Sequence, residues 1–341
     1  MDTNKVVLND LEKELAIDLE NSPEFLRVKK MFKKNALGFE VSITTLTTII
    51  KKVTEQKFFT VAPADYLPVR VGEGAWSSNL VTYRSFQVGD DWATGIINLA
   101  GQNSRLGEVD AAIDAITVPI INWGKSIGWS LFDLQIAAKS GNWDLVSSKE
   151  KARKRNWDLG IQKLAFLGLD ANHLGLLNQS VTSNTALITG KISTMTYDQL
   201  NTLLAGMLGA YRSNCNYTAW PTHLIIPELD YDGLMAPSSA QFPIKSKLQL
   251  IEEACQHITM NKGFKVLPLA YASQVNNALG VNRYVLLNYD EESLRMDIPV
   301  DYTSTLANSI NNFQFQNVGY GQVTGVMAYR PLEMLYFDYS N

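Results

Sequence analysis

The sequence is poor in the residues from which disulfide frameworks and metal centres are built. It holds two cysteines, Cys215 and Cys255, and three histidines, His173, His223 and His257. Two cysteines so far apart predict buried free thiols in a reducing cytosol. The histidines are separated by tens of residues, whereas zinc proteases place two of them one helical turn apart. We therefore predict no metal site and no cofactor.

Long apolar runs and an excess of basic charge are also missing. No stretch approaches the ~18 apolar residues that cross a bilayer, and the acidic N-terminus lacks the apolar region of a signal peptide. The net charge of −4 argues against nucleic acid as the main ligand of the whole surface, because such binding neutralises phosphates with Lys and Arg. We expect no membrane partner, folding in a cytoplasm, and only local, non-specific contact with DNA.

Motifs of common enzyme classes are absent too. The sequence contains no G-x-S-x-G elbow and no P-loop. Asp170 and His173, in "GLDANHLGLLNQS", are the best candidates for a catalytic pair, but Gly168 suits a helix end and Asp170 suits a turn. The acidic pair Asp230 and Asp232 also lies beside a turn. We predict no catalytic residue, and a cytoplasmic hydrolase remains a distant alternative.

Helical periodicity marks two parts of the first half of the chain. Residues 9–34 carry apolar residues at helical spacing and a basic cluster. Residues 129–169 predict a short helix, "SLFDLQIAAKSG", and then a long one, with a capping box formed by Ser147 and Glu150 and an end near Gly168. The basic run "KEKARKR" points all round the long helix and so forms no stripe for nucleic acid.

Between these helical parts, residues 69–122 show short alternating segments broken by glycines. Such a segment cannot easily bury its own apolar side chains, so we predict an extended arm that needs the surface of another subunit.

Strands and helices alternate in the second half. The predicted helices are "YDQLNTLLAGMLGAYR" and "KLQLIEEACQHI"; the predicted strands are "THLIIP", followed by a helical turn, then "GFKVLPLA", "RYVLLNY", "LRMDIPV" and "GVMAYRPLEMLYFDY". This pattern, after a mostly extended first third, predicts an α+β protein.

From about Pro63 to its end the chain resembles the major capsid proteins of tailed bacteriophages, which share the HK97 fold. The long helix is followed by Gly175-Leu176-Leu177-Asn178, an apolar strand from Leu224 to Pro227 precedes Tyr231, and the last strand contains the stretch from Gly325 to Pro331. Each motif is short, and their order along the chain carries the resemblance.

The resemblance implies an α+β, HK97-type capsid fold in five parts. These are an N-terminal arm at 1–62, an extended E-loop with flanking strands at 63–122, a P-domain with a long spine helix at 123–199, an A-domain at 200–315, and the C-terminal return strand of the P-domain at 316–341.

The resemblance also implies a function. Copies of the chain would self-assemble as hexamers and pentamers of an icosahedral phage head around double-stranded DNA, after assembly in the host bacterial cytoplasm. The arm residues Trp76, Leu80, Tyr83, Phe86 and Trp92 would contact a neighbouring copy. The basic residues Lys29, Lys30, Lys33 and Lys34 would lie near the inner wall.

The further partners that the resemblance implies are scaffolding, portal and decoration proteins. Some relatives crosslink their subunits through Lys and Asn, but the arm between Val69 and Ile121 is poor in lysine, so we expect no crosslink there. An encapsulin-like nanocompartment shell, which shares the fold, is the alternative function.

Overall fold

The computed structural model of the protein describes residues 59–88, 110–139, 144–237, 245–311 and 313–340, with the backbone alone at 86–88. The helices predicted at 9–34 lie outside these residues. The described helices α1 to α5 are Leu131–Lys139, Leu145–Leu167, Tyr197–Asn214, Glu228–Gly233 and Lys247–Thr259.

The described strands form three sheets. Strands β1 to β7 are Val69–Val71, Asn79–Val88, Asp110–Ser130, Ser183–Asn184, His223–Pro227, Lys265–Leu269 and Asn282–Leu287. Strands β8 to β13 are Leu294–Ile298, Val300–Ser304, Asn308–Ser309, Gln314–Thr324, Val326–Ala328 and Met334–Tyr339. The predicted helices and strands of the second half are confirmed at α3, α5 and β5 to β8.

A central five-stranded sheet, in the order β4–β13–β7–β5–β6, separates two hydrophobic cores. Strand β5 is buried along its whole length. Its Leu224 and Ile226 belong to the core formed with α3 and α5, while Ile225 belongs to the core on the other face, formed with α2. Because both faces of β5 are covered, it has the continuous apolar sequence of an internal strand.

The long helix α2 begins and ends through local contacts. Asp144 is its N-cap, and the Asp144 carboxylate accepts a hydrogen bond from the Ser147 N–H at 3.0 Å. The predicted cap at Ser147 is therefore wrong by three residues, because the acidic side chain upstream satisfies that N–H. The predicted end is confirmed, since Gly168 follows the last helical residue and has a φ of 73° that favours glycine.

A second sheet, which we call the long sheet, is built on β3. Strand β3 pairs with β2 from residue 110 to Pro119 and with β11 from Ile120 to Ser130. Strands β9 and β10 pair with β11 on its other side. The boundary predicted between residues 122 and 123 falls inside β3, so one strand joins the arm to the body of the subunit.

Helix α2 packs closely on the long sheet, and two glycines of β11 make this possible. A Cβ atom at Gly319 would lie 2.6 Å from the Arg153 side chain, and one at Gly321 would lie 2.5 Å from the Trp157 ring. Sequence reasoning missed β11 because glycine is rare inside strands, except where another group approaches the backbone closely.

One residue of the basic run at the start of α2 is turned into the subunit, although Lys151 and Lys154 are exposed. Arg153 is buried, and its guanidinium donates to the Tyr302 hydroxyl at 2.8 Å and to the backbone carbonyl of Asn317 at 3.1 Å. Glu150 contacts both Arg153 and Tyr302. One basic residue of the run therefore fastens the helix to the long sheet.

The C-terminal segment is divided among all three sheets. The sequence predicted one return strand of the P-domain at 316–341, but β11 lies in the long sheet and β13 lies in the central sheet. Between them, β12 joins a small sheet of order β1–β8–β12. A short 3-10 turn starting at Pro331 interrupts the predicted last strand, because proline has no N–H for the ladder.

Candidate assembly surface

A two-stranded arm, formed by β2 and by residues 110–119 of β3, exposes one of its sides to solvent. The two strands are antiparallel, with Val81 opposite Thr117, Tyr83 opposite Ala115 and Ser85 opposite Ile113. Residues directly opposite each other in an antiparallel pair share one face of the ribbon. These six residues therefore lie on the same side of the arm.

That side carries apolar residues that the single subunit leaves uncovered. Tyr83 and Ile113 are 73% and 74% exposed, and Val81 is also exposed. We call Val81, Tyr83, Ile113 and Ala115 the arm stripe. The opposite side of β2, with Thr82 and Arg84, is half-buried and faces the body.

The predicted contact residues lie in different environments. Tyr83 is in the arm stripe, and Leu80 is half-buried on the other side of β2. Trp76 lies in the turn before β2 and is exposed, with its ring 5.7 Å from that of Tyr320. The side chain of Phe86 and the whole of Trp92 lie outside the described residues, as do Lys29, Lys30, Lys33 and Lys34.

Sequence reasoning missed Val81 and Ile113 as exposed arm residues. The side that a residue occupies depends on the register of β2 against β3, and the segment "DAAIDAITV" is rich in alanine and gives a weak strand pattern. The alternation of side chains along β2 predicts two faces, but it does not predict which face packs against the rest of the subunit.

A second apolar surface lies where β3 leads into α1. Phe132 and Ile136 of α1 and Ile310 beside β10 are exposed, and the Phe132 ring meets the Phe313 ring edge-on at 4.9 Å. The Leu131 N–H donates to the Phe313 carbonyl at 3.2 Å, which joins α1 to the turn before β11. We call Leu131, Phe132, Ile136, Ile310 and Phe313 the tip patch. Clusters of exposed apolar residues of this kind mark interaction sites.

The loop of Asp170 and His173 is held as a turn. The Asp170 carboxylate accepts from the Asn172 N–H at 2.9 Å and contacts His173 Nδ1 at 2.8 Å. The hydrogen bond from the His173 side chain, followed by that from the Asn172 N–H, holds the pKa of Asp170 below its usual range. The turn is also tight, since a Cβ atom at Gly168 would lie 2.6 Å from the His173 carbonyl oxygen. These contacts explain the presence of Asp170 and His173, the candidate catalytic pair, by the structure of the turn.

The "GLLN" stretch after this turn locks α2 to its surroundings. The Asn178 side chain accepts from the Gly175 N–H at 2.6 Å and donates to the Leu167 carbonyl at 2.9 Å. The Tyr336 hydroxyl of β13 donates to the Leu176 carbonyl at 2.6 Å. The stretch therefore ties the end of the helix to the central sheet.

Two buried titratable groups, Cys255 and His223, are held in their uncharged forms. Burial raises the pKa of the Cys255 thiol to about 12. Burial, and then the nearby Lys265, lowers the pKa of His223 to about 4. Among the described residues, no group of three or more His, Cys, Asp or Glu side chains is placed to hold a metal ion, and no helix of this part is long and apolar enough to cross a membrane.

These features describe a subunit with exposed apolar surfaces, and comparison with known proteins identifies its family. The sequence model of the family described as "Major capsid protein" matches residues 94–339. The chain belongs to the major capsid protein family. No curated protein sequence matches this capsid protein significantly.

Solved capsid structures have the same fold. The capsid protein of Myoviridae phage XM1 superposes with a TM-score of 0.70 at 16% identity, over 86% of this chain and 97% of that one. The capsid of a native GTA particle gives a TM-score of 0.55 at 12% identity, over 90% and 100%. Mycobacterium phage Ogopogo gives 0.54 at 8% identity, over 89% and 99%. The predicted α+β, HK97-type fold is confirmed.

Family membership makes this capsid protein a shell subunit of a phage head and a component of the virion, which self-associates. The predicted function is confirmed at this level, and the encapsulin-like alternative is not favoured. The family is one of structural proteins. The arm stripe and the tip patch are then the surfaces that a capsid protein has available for other copies of itself.

Proposed function

We propose that copies of this chain close into an icosahedral head as hexamers and pentamers, with the arm of each copy lying on its neighbour. The arm stripe is the observation that carries this proposal, since Tyr83 and Ile113 are largely exposed in the single subunit. Burying a large apolar side chain contributes roughly 1.5–3 kcal/mol. Each contact can be modest, because every subunit is held by several neighbours at once.

Replacing the two most exposed large side chains of the stripe, Tyr83 and Ile113, tests the proposal. The double variant Tyr83→Ser, Ile113→Ser is expected to fold with a thermal midpoint close to that of the wild type, because neither side chain is buried in the subunit. It is expected to give no large hollow particles in sedimentation and electron microscopy. The control variant Tyr83→Phe, Ile113→Val keeps the apolar surface and is expected to assemble.

Normal particles from the serine variant would show that the stripe is not an assembly contact. A serine variant that fails to fold would also count against the proposal, since it would mean that the stripe packs within the subunit. Circular dichroism and thermal unfolding of both variants separate these two outcomes.

We propose that the tip patch contacts a second neighbouring copy. The Phe132 ring is exposed although it already packs on Phe313, so the pair offers a preformed apolar surface. The variant Phe132→Ser is expected to raise the protein concentration needed for assembly by about tenfold, which corresponds to ~1.4 kcal/mol. Light scattering against concentration measures this, with Phe132→Leu as the control. An unchanged threshold would remove the patch from the interface.

We further propose a division of the chain into the parts of an HK97-type subunit. The segment 63–122, which contains the arm, serves as the E-loop, and α2 with the rest of the long sheet serves as the P-domain. The central sheet with α3, α4 and α5 serves as the A-domain at the capsomer axis, which adds β4 and β13 to the residues 200–315 expected from the sequence. Residues 1–62 are proposed as an N-terminal arm that ties subunits together.

Double-stranded DNA is the proposed content of the shell, held by non-specific electrostatics, with Lys29, Lys30, Lys33 and Lys34 near the inner wall. The net charge of −4 supports weak and local contacts. Scaffolding, portal and decoration proteins are the proposed further partners, and the host bacterial cytoplasm is the proposed place of assembly. We propose no catalytic role, since hydrogen bonds within a turn account for Asp170 and His173.

A further inference from the structure

The root of the arm is held to the body of the subunit by a polar cluster. Arg295 of β8 donates from Nη2 to the Tyr329 hydroxyl at 3.0 Å and to Thr82 Oγ1 at 3.3 Å. Thr82, on β2, also lies 3.4 Å from the Tyr329 hydroxyl through its Oγ1 atom. We call Thr82, Arg295 and Tyr329 the latch, because they join the arm to the small sheet.

The body half of the latch is fixed independently of the arm. Tyr329 is buried, directly after β12, and its N–H donates to the Ser293 carbonyl at 2.9 Å. The Arg295 guanidinium lies 4.8 Å from the centre of the Tyr329 ring, and its Nε donates to the buried Asp297 carboxylate at 3.2 Å. A charged donor held in this way by several partners forms stronger and better directed hydrogen bonds than an exposed one.

A second contact lies two residues further along β2, on the same side of the strand as Thr82. Arg84 donates from Nη1 to the Tyr329 carbonyl at 3.2 Å, and its Nη2 lies 3.3 Å from the Asp114 carboxylate on β3. The Arg84 and Asp114 side chains are partly exposed, so their ion pair contributes little by itself. It does connect both strands of the arm to the same tyrosine residue.

The arm needs such a contact because it is a ribbon of only two strands. From Pro119 back to residue 110, β3 no longer pairs with β11, and β2 is its described partner. Two-stranded ribbons are marginally stable and twist readily. Val88, the end of β2, lies ~20 Å beyond Thr82, so a tilt of about 10° at the root moves that end by ~3–4 Å. The same tilt moves Ile113 of the arm stripe, which lies opposite Ser85 and ~10 Å beyond Thr82, by ~2 Å, and so misplaces the stripe on a partner surface.

We propose that the latch fixes the angle at which the arm leaves the subunit, and so sets where the arm stripe meets the neighbouring copy. Thr82, Arg295 and Tyr329 are in this sense positioning residues, which act on assembly without touching the neighbour. The proposal rests on the proposed function of the arm, and it adds the part of the subunit that orients the arm.

The double variant Thr82→Val, Tyr329→Phe tests the latch, because it removes both hydroxyl groups and keeps the shapes of the side chains. Spin labels at Ala111→Cys near the end of the arm and at Asn156→Cys on α2 report the arm angle by pulsed electron paramagnetic resonance; both positions are exposed. Both native cysteines, Cys215 and Cys255, are buried and so do not compete for the label. Labelled full-length protein is diluted with unlabelled protein, so that distances within one subunit dominate.

The latch variant is expected to melt close to the wild type, to show a distance distribution broader by about 3–4 Å, as the ribbon geometry gives, and to yield fewer closed shells. Tyr289→Phe is the matched control, because it removes a hydroxyl that donates to the Ala64 carbonyl away from the arm. The control is expected to keep the narrow distribution and the normal yield.

A distance distribution as narrow as that of the wild type overturns the proposal. So does a broad distribution together with a normal yield of closed shells, because the angle would then not matter to assembly. Failure of the proposed arm function has a different signature, since a subunit without its arm would then assemble normally.

Discussion

Replacing residues 85–113 by a two-residue turn is expected to give a folded, soluble subunit that does not assemble. The excised segment carries Ile113 of the arm stripe and the far end of both strands, which make no described contact with the central sheet. The hydrophobic cores on either side of the central sheet are left intact. The expected loss of assembly is complete, because the missing contact recurs in every subunit of the shell.

The register of the arm shows where this cut can be made. Arg84 lies opposite Asp114, so a tight Asn-Gly turn can join the two strands there without moving either one. The latch residue Thr82 is retained. A cut from Val71 to Leu106 is less suitable, because Val71 pairs with Ile298 in the small sheet and β3 would lose its partner β2.

Circular dichroism, thermal unfolding and sedimentation measure the outcome. A folded subunit that sediments as a small species supports the arm as an assembly element. Closed shells from the shortened chain would refute that role, and an unfolded product would show that the segment belongs to the folding core. The serine variant of the stripe helps to separate these cases, because it changes two exposed side chains and removes no backbone.

The arm also shows how far the sequence predicts the fold. Alternating residues broken by glycines in 69–88 predict an extended segment, and exposed aromatic side chains there predict a partner surface. The faces of the arm were not predictable, because they depend on pairing with a distant alanine-rich strand. The residues of the latch come from three separated parts of the chain, and no local pattern connects Thr82 with Arg295 and Tyr329.

The helices show the opposite case. Helices α3 and α5 were predicted from apolar periodicity, and both begin with a capping box, formed by Thr196 with Gln199 and by Ser246 with Gln249. Strand β11 was missed because its glycines are needed for the close packing of α2, which is remote in sequence. Local sequence signals therefore predicted the helices, which are determined by neighbouring residues. They did not predict β11, whose sequence is determined by a contact between distant segments.

Asp230→Ala is expected to destabilise the subunit more than any other single change considered for this chain. The Asp230 carboxylate is buried and accepts the N–H groups of Ile192 and Ser193, each at 2.9 Å, together with the Tyr284 hydroxyl. Burial, and then the neighbouring Asp230, raises the pKa of Tyr284, which keeps the phenol protonated as a donor. One carboxylate therefore connects α4 to β7 and to the short helical turn at Ile192.

Removing this carboxylate leaves three donors without their acceptor, of which the Ile192 N–H and the Tyr284 hydroxyl are buried and the Ser193 N–H is partly buried. Each costs about 1–3 kcal/mol, so the expected loss of ~3–9 kcal/mol is a large part of the 5–15 kcal/mol that is typical of folded proteins. The thermal midpoint is expected to fall by about 10 °C or more. Asp230→Asn keeps one acceptor oxygen and is expected to fall between the wild type and the alanine variant.

The neighbouring acidic residue supplies the control for this prediction. Asp232 is exposed, and Asp232→Ala is expected to change the free energy of unfolding by no more than about 0.5 kcal/mol. In the sequence the two residues look like one acidic pair beside a turn, and the structure gives the first a partner set that the second lacks. Equal midpoints for the two alanine variants in calorimetry would show that the buried hydrogen bonds of Asp230 do not hold the central sheet and its helices together.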